Sequence, residues 1–312
     1  MPAFSPCIIS PVVQRGSLLN YLPESIALFS RMTETLDSTK KAKVNSRIKK
    51  LKDSGILAKC DIIRFYDGFN ETDSLLNWAK DAHNGSKIST PDFYANVGVK
   101  GGTGKAINSN YNPLSQGVNA TKDNITIGVF VVEKGATELY LFGSFKTPNQ
   151  LGVWSSGTSI SHAVNSSGFR AEPFTVVDGL FSVVRRSATV ESAKLNKLPI
   201  KDYSLNSSAI PDLNIYELAL NNNGVVYSPS TAMHKCFFVA SGLTDSELEQ
   251  LHTDLYQLLI SDAINIGIVG DSTIGVYSPF NPVSTYLNDK NYYGLFDVAT
   301  AGDTIAAQKT KW

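Results

Sequence analysis

The stretch Ile125-Thr-Ile-Gly-Val-Phe-Val-Val132, followed closely by Leu139-Tyr-Leu-Phe142, decides the fold that this sequence predicts. Both runs are rich in the β-branched and aromatic residues that favour the pleated surface of a strand. Similar short runs recur on both sides, separated by Gly, Asn, Ser and Pro rather than by helical periods. We therefore expect two packed antiparallel sheets, a β-sandwich, instead of an α/β layer. The predicted strands are Cys60–Tyr66, Ile125–Val132, Glu138–Phe145, Val153–Ile160, Phe174–Val177, Leu180–Arg185, Ile215–Leu220 and Lys235–Ala240.

The segment Asn221-Asn-Asn-Gly224 lies between two of these runs and predicts a tight hairpin. Asn and Gly tolerate the positive φ angles of two-residue β-turns better than other residues do. We therefore expect the chain to reverse its direction there, within the sandwich.

Helical patterns flank the predicted sandwich. The prolines of the first twenty-odd residues predict an irregular arm, which a helix over Glu24–Leu36 follows. A second helix is predicted over Ser38–Ser54, because apolar residues recur at helical spacing up to Gly55, which ends it. After the sandwich, Thr244 and Glu247 form a capping box in front of a third helix. The apolar stripe of this helix consists of Leu248, Leu251, Leu255, Leu258 and Leu259.

Short motifs follow one another in a characteristic order between Val44 and Ile260. They are Leu51-Lys-Asp-Ser-Gly-Ile56, Asp61-Ile-Ile-Arg-Phe65, Leu76-Asn-Trp78, Tyr111-Asn-Pro113, Glu217-Leu-Ala-Leu-Asn-Asn-Asn-Gly224 and Gly242-Leu-Thr-Asp245. In these motifs and their order the span resembles a recurrent type of tailed-bacteriophage protein. The resemblance implies a concanavalin A-like (laminin-G-like) jelly-roll sandwich on a virion structural or host-contact protein.

This resemblance also implies where the protein acts and what it meets. We expect it on the tail or capsid surface of the virion, with a cell-surface glycan and other virion proteins as partners. Family analogy further implies a homo-oligomer, specifically a trimer. We expect synthesis in the host cytoplasm without a Sec signal, because Met1-Pro-Ala-Phe-Ser-Pro6 has no basic segment before an apolar core.

Aromatic residues within the predicted sandwich are candidates for carbohydrate binding, since their faces can stack on sugar rings. The candidates are Trp78, Tyr94, Tyr111 and Trp154. The alternative for each is that its ring fills the core. A concanavalin-like fold does not by itself establish lectin activity.

A second resemblance begins at Ile264-Asn-Ile-Gly-Ile-Val-Gly-Asp-Ser-Thr273, where a short apolar run ends in Gly-Asp-Ser. Such a run predicts a buried strand that leads into a functional turn. This stretch resembles the first block of the SGNH (GDSL-type) hydrolases. The resemblance makes Ser272 the candidate nucleophile and places Asp271 in the same block. The segment Phe296-Asp-Val-Ala-Thr-Ala-Gly-Asp-Thr-Ile-Ala-Ala-Gln308 looks like the second block, whose glycine, here Gly302, offers an oxyanion-hole N–H.

The residues that would complete an SGNH site have no counterpart in the sequence. Neither Gly-x-Asn-Asp nor Asp-x-x-His follows Gly302, and no histidine follows His252. A serine without a base is a poor nucleophile near neutral pH, so we expect this chain to be inactive as an esterase. Three hypotheses stay open: a virion adhesion protein, the front part of a carbohydrate esterase (deacetylase), and a complete protein in which the Gly-Asp-Ser unit is only a structural cap.

Three regions follow from these patterns. Residues 1–55 are expected to form an N-terminal arm with helices, and residues 56–260 the sandwich with a closing helix over 244–260. Residues 261–312 are expected to form a partial α/β unit, the start of an SGNH-like domain. The predicted fold class is therefore mainly β, with a helical segment before the sandwich and an α/β segment after it.

Composition and charge argue against several function classes. The 28 basic and 28 acidic residues balance, so no global field favours nucleic acid. The basic second helix lacks interleaved aromatic residues for base stacking, and we interpret it as a solvated face. No run reaches membrane-spanning length. The basic residues of the second helix are Lys40, Lys41, Lys43, Arg47, Lys49, Lys50 and Lys52.

Metal and cofactor sites are not predicted. The scattered residues His83, His162 and His234 lack the paired spacing of a metal site, and the cysteines lack ligand spacing as well. We interpret the thiols as buried and free. Gly101-Gly-Thr-Gly-Lys105 departs from a phosphate loop at its first glycine and at the required Ser/Thr, and predicts a glycine-rich turn. The cysteines are Cys7, Cys60 and Cys236.

Overall fold

The computed structural model describes residues 20–135, 139–156, 158–173, 179–196 and 198–265. None of the helices in these ranges is both long enough and apolar enough to cross a membrane. The helices are α1 (Pro23–Phe29), α2 (Ser38–Asp53), α3 (Ile56–Lys59), α4 (Glu71–Ser74), α5 (Pro113–Gln116) and α6 (Asp245–Asn265). The strands are β1 (Cys60–Phe65), β2 (Ser86–Ile88), β3 (Asp92–Tyr94), β4 (Gly98–Lys100), β5 (Ala106–Asn108), β6 (Ile125–Glu133), β7 (Leu139–Lys146), β8 (Asn149–Ser155), β9 (Ser159–Ser166), β10 (Arg170–Pro173), β11 (Gly179–Arg185), β12 (Val190–Leu195), β13 (Leu198–Ser204), β14 (Tyr216–Glu217), β15 (Leu220–Asn222), β16 (Val225–Tyr227) and β17 (Met233–Ala240).

Two sheets, here called sheet A and sheet B, contain these strands. Sheet A has the order β13-β12-β11-β6-β17-β4-β3, with β1 also paired to β17. Sheet B has the order β10-β9-β8-β7-β14-β5-β2, with the β15–β16 hairpin beside β7. The paired strands are antiparallel, except that β15 runs parallel to β7. The predicted mainly β, two-sheet architecture is therefore confirmed.

Sheet A is covered on both faces, and β17 shows how. Phe237 and Val239 belong to the core between the sheets, whereas Cys236 and Phe238 point into a second core beneath the helices. Because a strand directs alternate side chains to opposite faces, a strand buried on both faces is apolar throughout. The second core receives apolar side chains from α1, α2, α3 and α6. The layers are therefore helices, sheet A and sheet B.

A buried ion pair helps to fix the helical layer on sheet A. Arg47 of α2 donates two hydrogen bonds to the Asp67 carboxylate, with N–O distances of 2.6 and 2.5 Å. Burial alone would raise the pKa of Asp67, but Arg47 and Lys235, the latter at 3.3 Å, hold that pKa well below its ordinary value. The pair positions α2 directly over the end of β1.

The helix predictions hold with two corrections. In α6 the Thr244 N–H donates to the Glu247 carboxylate at 2.9 Å, and the Glu247 N–H donates to the Thr244 hydroxyl at 3.3 Å, so the capping box is confirmed. Helix α6 then continues to Asn265, so Ile264, predicted to begin a strand, is helical. The first helix ends at Phe29, not Leu36, because the chain turns where the Asp73 carboxylate accepts from nearby backbone N–H groups. These donors are the N–H groups of Thr33 (2.7 Å) and Glu34 (3.0 Å).

Two predicted strands are each divided in the structure. The predicted strand Ile215–Leu220 is split into β14 and the first residue of β15, and Leu218 between them has a φ angle of 64°. The predicted strand Val153–Ile160 is in fact the end of β8, a turn, and the start of β9. In this turn the Ser156 N–H donates to the Ser159 carbonyl at 2.9 Å. The sequence carries a turn signal here, because Gly157 follows Ser155 and Ser156, and the prediction of one continuous strand overlooked it. The predicted strand Phe174–Val177, the N-terminal arm up to residue 19 and all residues after Asn265 lie outside the described residues.

Candidate functional site

The outer face of sheet B is the sheet face that lies opposite the helical layer. Three side chains on it surround the ring of Tyr140: Trp154 of β8, Phe169 before β10, and Tyr227 of β16. We call these four residues the aromatic cup. The ring centroids of Trp154, Phe169 and Tyr227 lie 6.5, 5.9 and 6.4 Å from that of Tyr140. The four rings therefore form one contiguous aromatic surface.

Strand register explains why these residues meet. Tyr140 and Trp154 are direct cross-strand partners on β7 and β8. Neighbours on β8, Leu151 and Val153, belong to the inter-sheet core, so Trp154 alternates to the outer face. The Tyr140 N–H donates to the Ser228 carbonyl at 3.1 Å. This hydrogen bond brings Tyr227, the last residue of β16, alongside β7.

The β15–β16 hairpin presents Tyr227, and its turn is the one predicted from sequence. Asn223 and Gly224 have φ angles of 52° and 91°, as a two-residue hairpin turn of this kind requires. The Asn221 side chain accepts from the Gly224 N–H at 2.7 Å, and the Tyr216 hydroxyl donates to the Gly224 carbonyl at 3.3 Å. The hairpin prediction is confirmed, and the turn is anchored from both sides.

Exposure differs across the aromatic cup. Tyr140 is 9% exposed and forms its floor, Trp154 and Phe169 are partly buried, and Tyr227 is 54% exposed. Burial, with a smaller contribution from Tyr227, raises the pKa of Tyr140 to about 12. The Tyr140 hydroxyl therefore stays protonated over the physiological pH range and can donate a hydrogen bond.

Two of the four predicted sugar-stacking residues are core residues instead. Trp78 is 5% exposed and packs against Phe65 at a centroid distance of 4.6 Å. Tyr111 is 0% exposed, and its hydroxyl donates to the Asp61 carboxylate at 2.8 Å. Neither ring has a face available for a ligand, so the core alternative describes both positions. Both residues lie in irregular segments outside the helices and strands, and there the sequence spacing does not reveal which way a side chain points.

The other two predicted residues remain accessible but lie on different sheets. Tyr94 is 42% exposed on β3, at the edge of sheet A. Trp154 belongs to the aromatic cup on sheet B. Sugar stacking stays a prediction for both, and the grouping with other aromatic rings favours Trp154. The sequence did not single out the other three cup residues. Tyr140 could have been recognised because it alternates with apolar neighbours in Leu139-Tyr-Leu-Phe142, and Tyr227 because it follows the predicted hairpin turn. No sequence feature indicated Phe169.

The SGNH-like residues cannot be placed. Asp271, Ser272 and Gly302 lie outside the described residues, as do all residues after Asn265. The role of Ser272 as a nucleophile therefore stays a prediction.

The remaining sequence hypotheses have structural outcomes. Gly102 and Lys105 pair across a tight turn, and the Lys105 ammonium contacts the Asp92 carboxylate at 2.6 Å, as a glycine-rich turn predicts. Cys60 and Cys236 are buried free thiols, and burial raises the pKa of Cys60 to about 12. Within the described ranges no three His, Cys, Asp or Glu residues are grouped as metal ligands would be.

The basic helix α2 is engaged with acidic neighbours. Lys49 lies 2.5 Å from the Asp53 carboxylate, and Lys52 lies 2.6 Å from that of Glu24. Lys40 also forms an ion pair with Glu34. Carboxylates that already neutralise these ammonium groups favour the solvated face over a phosphate-binding surface.

Comparison with known proteins gives distant structural likenesses. No protein-family model and no curated protein sequence matches the chain. The Trypanosoma rangeli sialidase in complex with sialic acid aligns with a TM-score of 0.46 and 11% identity, over 70% of this chain and 40% of that chain. The botulinum neurotoxin serotype D binding domain aligns with a TM-score of 0.46 and 10% identity, over 64% of this chain and 52% of that chain. The NanB sialidase from Streptococcus pneumoniae aligns with a TM-score of 0.35 and 10% identity, over 42% of this chain and 24% of that chain.

These alignments span about half or less of each of the three known chains. Their TM-scores lie below 0.5, so the likeness carries no argument about function.

Proposed function

We propose that this chain is a carbohydrate-binding, lectin-like β-sandwich protein and that the aromatic cup is its binding site. The observation that carries the proposal is the grouping of Trp154, Phe169 and Tyr227 around Tyr140 on the sheet face opposite the helices. Contiguous apolar surface on a soluble protein commonly marks an interaction site. Aromatic residues that are apolar on their faces and polar at one end suit ligands of mixed character.

A sugar ring has this mixed character. Its C–H groups carry a small positive charge and pack against the negative face of an aromatic ring, while its hydroxyl groups need hydrogen-bond partners. Polar side chains lie next to the cup in the β8–β9 turn, which begins directly after the strand that carries Trp154. They are Ser156 and Ser159.

We further propose that this lectin-like module belongs to a tailed-phage virion and contacts the host surface. The support is the ordered series of motifs between Val44 and Ile260, which resembles such proteins. Other virion proteins and copies of the same chain, as a trimer, are the proposed protein partners. An antibody against the chain should label purified phage particles, and labelling confined to the host cell lysate would contradict the virion location.

The binding proposal is tested with the 312-residue chain on an array of cell-surface polysaccharides. Tyr227→Ala and Trp154→Ala should each lower the affinity about tenfold, because each removes one stacking surface. Tyr94→Ala is the matched control, since Tyr94 is a comparably exposed aromatic residue on the other sheet. Urea unfolding of each variant separates lost binding from lost stability. No signal on any glycan, or an equal loss in Tyr94→Ala, would refute the proposed site.

A second candidate function, ester hydrolysis, is favoured by Gly270-Asp271-Ser272 at the end of an apolar run. In an SGNH-type reaction Ser272 would attack an ester carbonyl, and the Ser272 and Gly302 N–H groups would hold the oxyanion. These 312 residues have no histidine after His252 to serve as the base of such a site, and removing a triad member costs about 10⁴-fold or more in rate.

We therefore expect no hydrolysis of p-nitrophenyl acetate by this chain above buffer. A form extended through an Asp-x-x-His block should hydrolyse acetyl esters and lose that activity in Ser272→Ala. Activity of the 312-residue chain that Ser272→Ala abolishes would show that a histidine such as His252, or one from a neighbouring subunit, completes the site.

A further inference from the structure

On the strands that carry the aromatic cup, the ionisable side chains lie on the side that faces sheet A. On β9, the His162 side chain points towards sheet A, where its Nδ1 lies 2.6 Å from the Glu191 carboxylate. On β10, the Glu172 carboxylate also points towards sheet A, where it accepts from the Tyr203 hydroxyl and lies 3.0 Å from the Lys201 ammonium. Arg170 of β10 is the cross-strand partner of His162, so it leaves its strand on the same side, and its guanidinium donates to the Phe169 carbonyl at 3.2 Å. The ionisable side chains of these strands therefore lie on the side that faces sheet A.

The outer face of the same strands has no charged side chain among the described residues. Tyr140, Trp154, Ser161 and Ala171 are successive cross-strand partners from β7 to β10, and they form one outward row. Lys146 alternates to the opposite side of β7 and lies 3.4 Å from the Asp212 carboxylate. The other positions in this outward register are Gly143, Phe145, Gln150, Gly152, Ser159, Ala163, Ser166 and Pro173, of which Ala163 and Ser166 are buried.

The β16 strand extends this uncharged surface. Val225 and Tyr227 alternate to the same face and are 66% and 54% exposed. The hairpin sequence around them, from Leu220 to Ser230, also contains no charged residue. The described surface around the aromatic cup therefore offers aromatic rings and hydroxyl groups.

From this distribution we propose that the aromatic cup binds a neutral polysaccharide, one whose sugar units carry neither carboxylate nor sulfate groups. The inference rests on the proposed carbohydrate-binding function and adds the class of ligand. An anionic sugar that enters an apolar site loses hydration, and this loss is compensated only where a cation or several N–H donors meet the charge. A neutral sugar needs only apolar contact and hydrogen bonds with uncharged groups, which this surface supplies.

The test compares neutral and acidic polysaccharides as probes for the 312-residue chain. Dextran, mannan and galactomannan form the neutral set, and polygalacturonate, hyaluronate and polysialic acid the acidic set. At least one neutral probe should bind, with a Kd that changes less than about twofold between about 50 mM and about 500 mM NaCl, since no ion pair is screened. The acidic probes should bind at least about tenfold more weakly.

Two exposed variants make the test specific to this surface. Tyr227→Ala should lower the affinity for the neutral probe. Val225→Lys should leave the neutral affinity within about twofold and add binding to an acidic probe that high salt abolishes, because it places a cation beside the cup.

The outcomes separate this inference from the function on which it rests. Tight, salt-sensitive binding of an acidic probe that is lost in Tyr227→Ala would overturn the neutral-ligand inference and leave the binding function intact. Acidic binding that Tyr227→Ala does not change would locate recognition elsewhere on the protein and overturn both. The absence of binding to all six probes, together with a silent glycan array, would also overturn both.

Discussion

Arg64 of β1 and Glu217 of β14 form a buried ion pair that joins sheet A to sheet B through the centre of the sandwich. Both side chains are 0% exposed. Arg64 also donates to the Ser109 carbonyl at 2.7 Å, and the Tyr66 hydroxyl donates to Glu217. Burial raises the pKa of Glu217 to about 7, against the lowering effects of Arg64 and Tyr66. The pair therefore fixes how the two sheets face each other, at a cost in desolvation.

Removing one partner of this ion pair should be more damaging than removing both. Arg64→Met leaves a buried carboxyl group without its cation, and we expect a loss of about 3–5 kcal/mol in the free energy of unfolding. The double variant Arg64→Met/Glu217→Met replaces the pair by apolar side chains and should recover a large part of that loss. Urea unfolding of Arg64→Met, Glu217→Met and the double variant measures the difference. A double variant as unstable as the sum of the two single variants would show that the pair is not coupled.

Tyr111→Phe should separate a core role from a binding role. The variant removes the hydrogen bond to the buried Asp61 carboxylate, which also accepts from the Ala120 N–H at 3.0 Å. We expect a loss of about 1–3 kcal/mol in stability and no change in glycan affinity. Tyr227→Ala should show the reverse pattern, because Tyr227 is exposed. Weakened glycan binding by a stably folded Tyr111→Phe would mean that this ring takes part in recognition after all.

Local signals predicted the elements that are made from adjacent residues. The capping box at Thr244 and Glu247 and the hairpin turn at Asn223 and Gly224 depend on contacts within a few residues, so their residue types were sufficient evidence. The ion pair of Arg64 with Glu217 joins residues 153 positions apart. A lone Arg or Glu in a strand does not reveal such a partner, so the sequence could not predict the connection between the sheets.

The candidate site was predictable only in part for the same reason. Trp154 was recognisable as an aromatic residue in a strand, but its three ring neighbours come from other strands and loops. Trp78 and Tyr111 are a tryptophan and a tyrosine like the cup residues Trp154 and Tyr227, and only packing shows that Trp78 and Tyr111 are buried. Register and a bulge between Tyr140 and Phe142 decide which rings reach the outer face.

Because His234 is buried in its neutral form, we expect the stability of the fold to fall at acid pH. It lies on β17 opposite Val99, is 0% exposed, and neither ring nitrogen has a hydrogen-bond partner among the described residues. Burial lowers the pKa of His234 to about 3, below the ordinary value of about 6.5. The unfolded chain therefore binds the proton first, and the stability contributed by neutral His234 is lost as pH falls from about 6.5 towards 3.

His234→Leu should remove this sensitivity. We expect the variant to be about 1–3 kcal/mol more stable at pH 7, since an unpaired polar ring leaves the core, and its advantage should grow by about 3 kcal/mol by pH 4. Glu217, whose pKa is raised, contributes the opposite slope between about 4.5 and 7 in both proteins, so the difference between them isolates His234. His162→Leu is the control and should destabilise, because it breaks the hydrogen bond to Glu191. Equal pH profiles for wild type and His234→Leu would contradict the assignment.

The hairpin turn that presents Tyr227 offers the most selective test of the aromatic cup. Gly224 and Gly104 have φ angles of +91° and +70°, and at either residue no atom beyond the adjacent residues lies within 4 Å of the position that a Cβ would occupy. Gly224→Ala and Gly104→Ala should therefore each cost about 1 kcal/mol through backbone strain alone. Only Gly224→Ala should also weaken glycan binding, because the strained turn shifts β16, whereas Gly104 lies in the turn that follows β4 of sheet A. Binding assays and urea unfolding of the two variants measure both effects. An equal loss of binding in Gly104→Ala would show that general destabilisation, not the position of Tyr227, controls recognition.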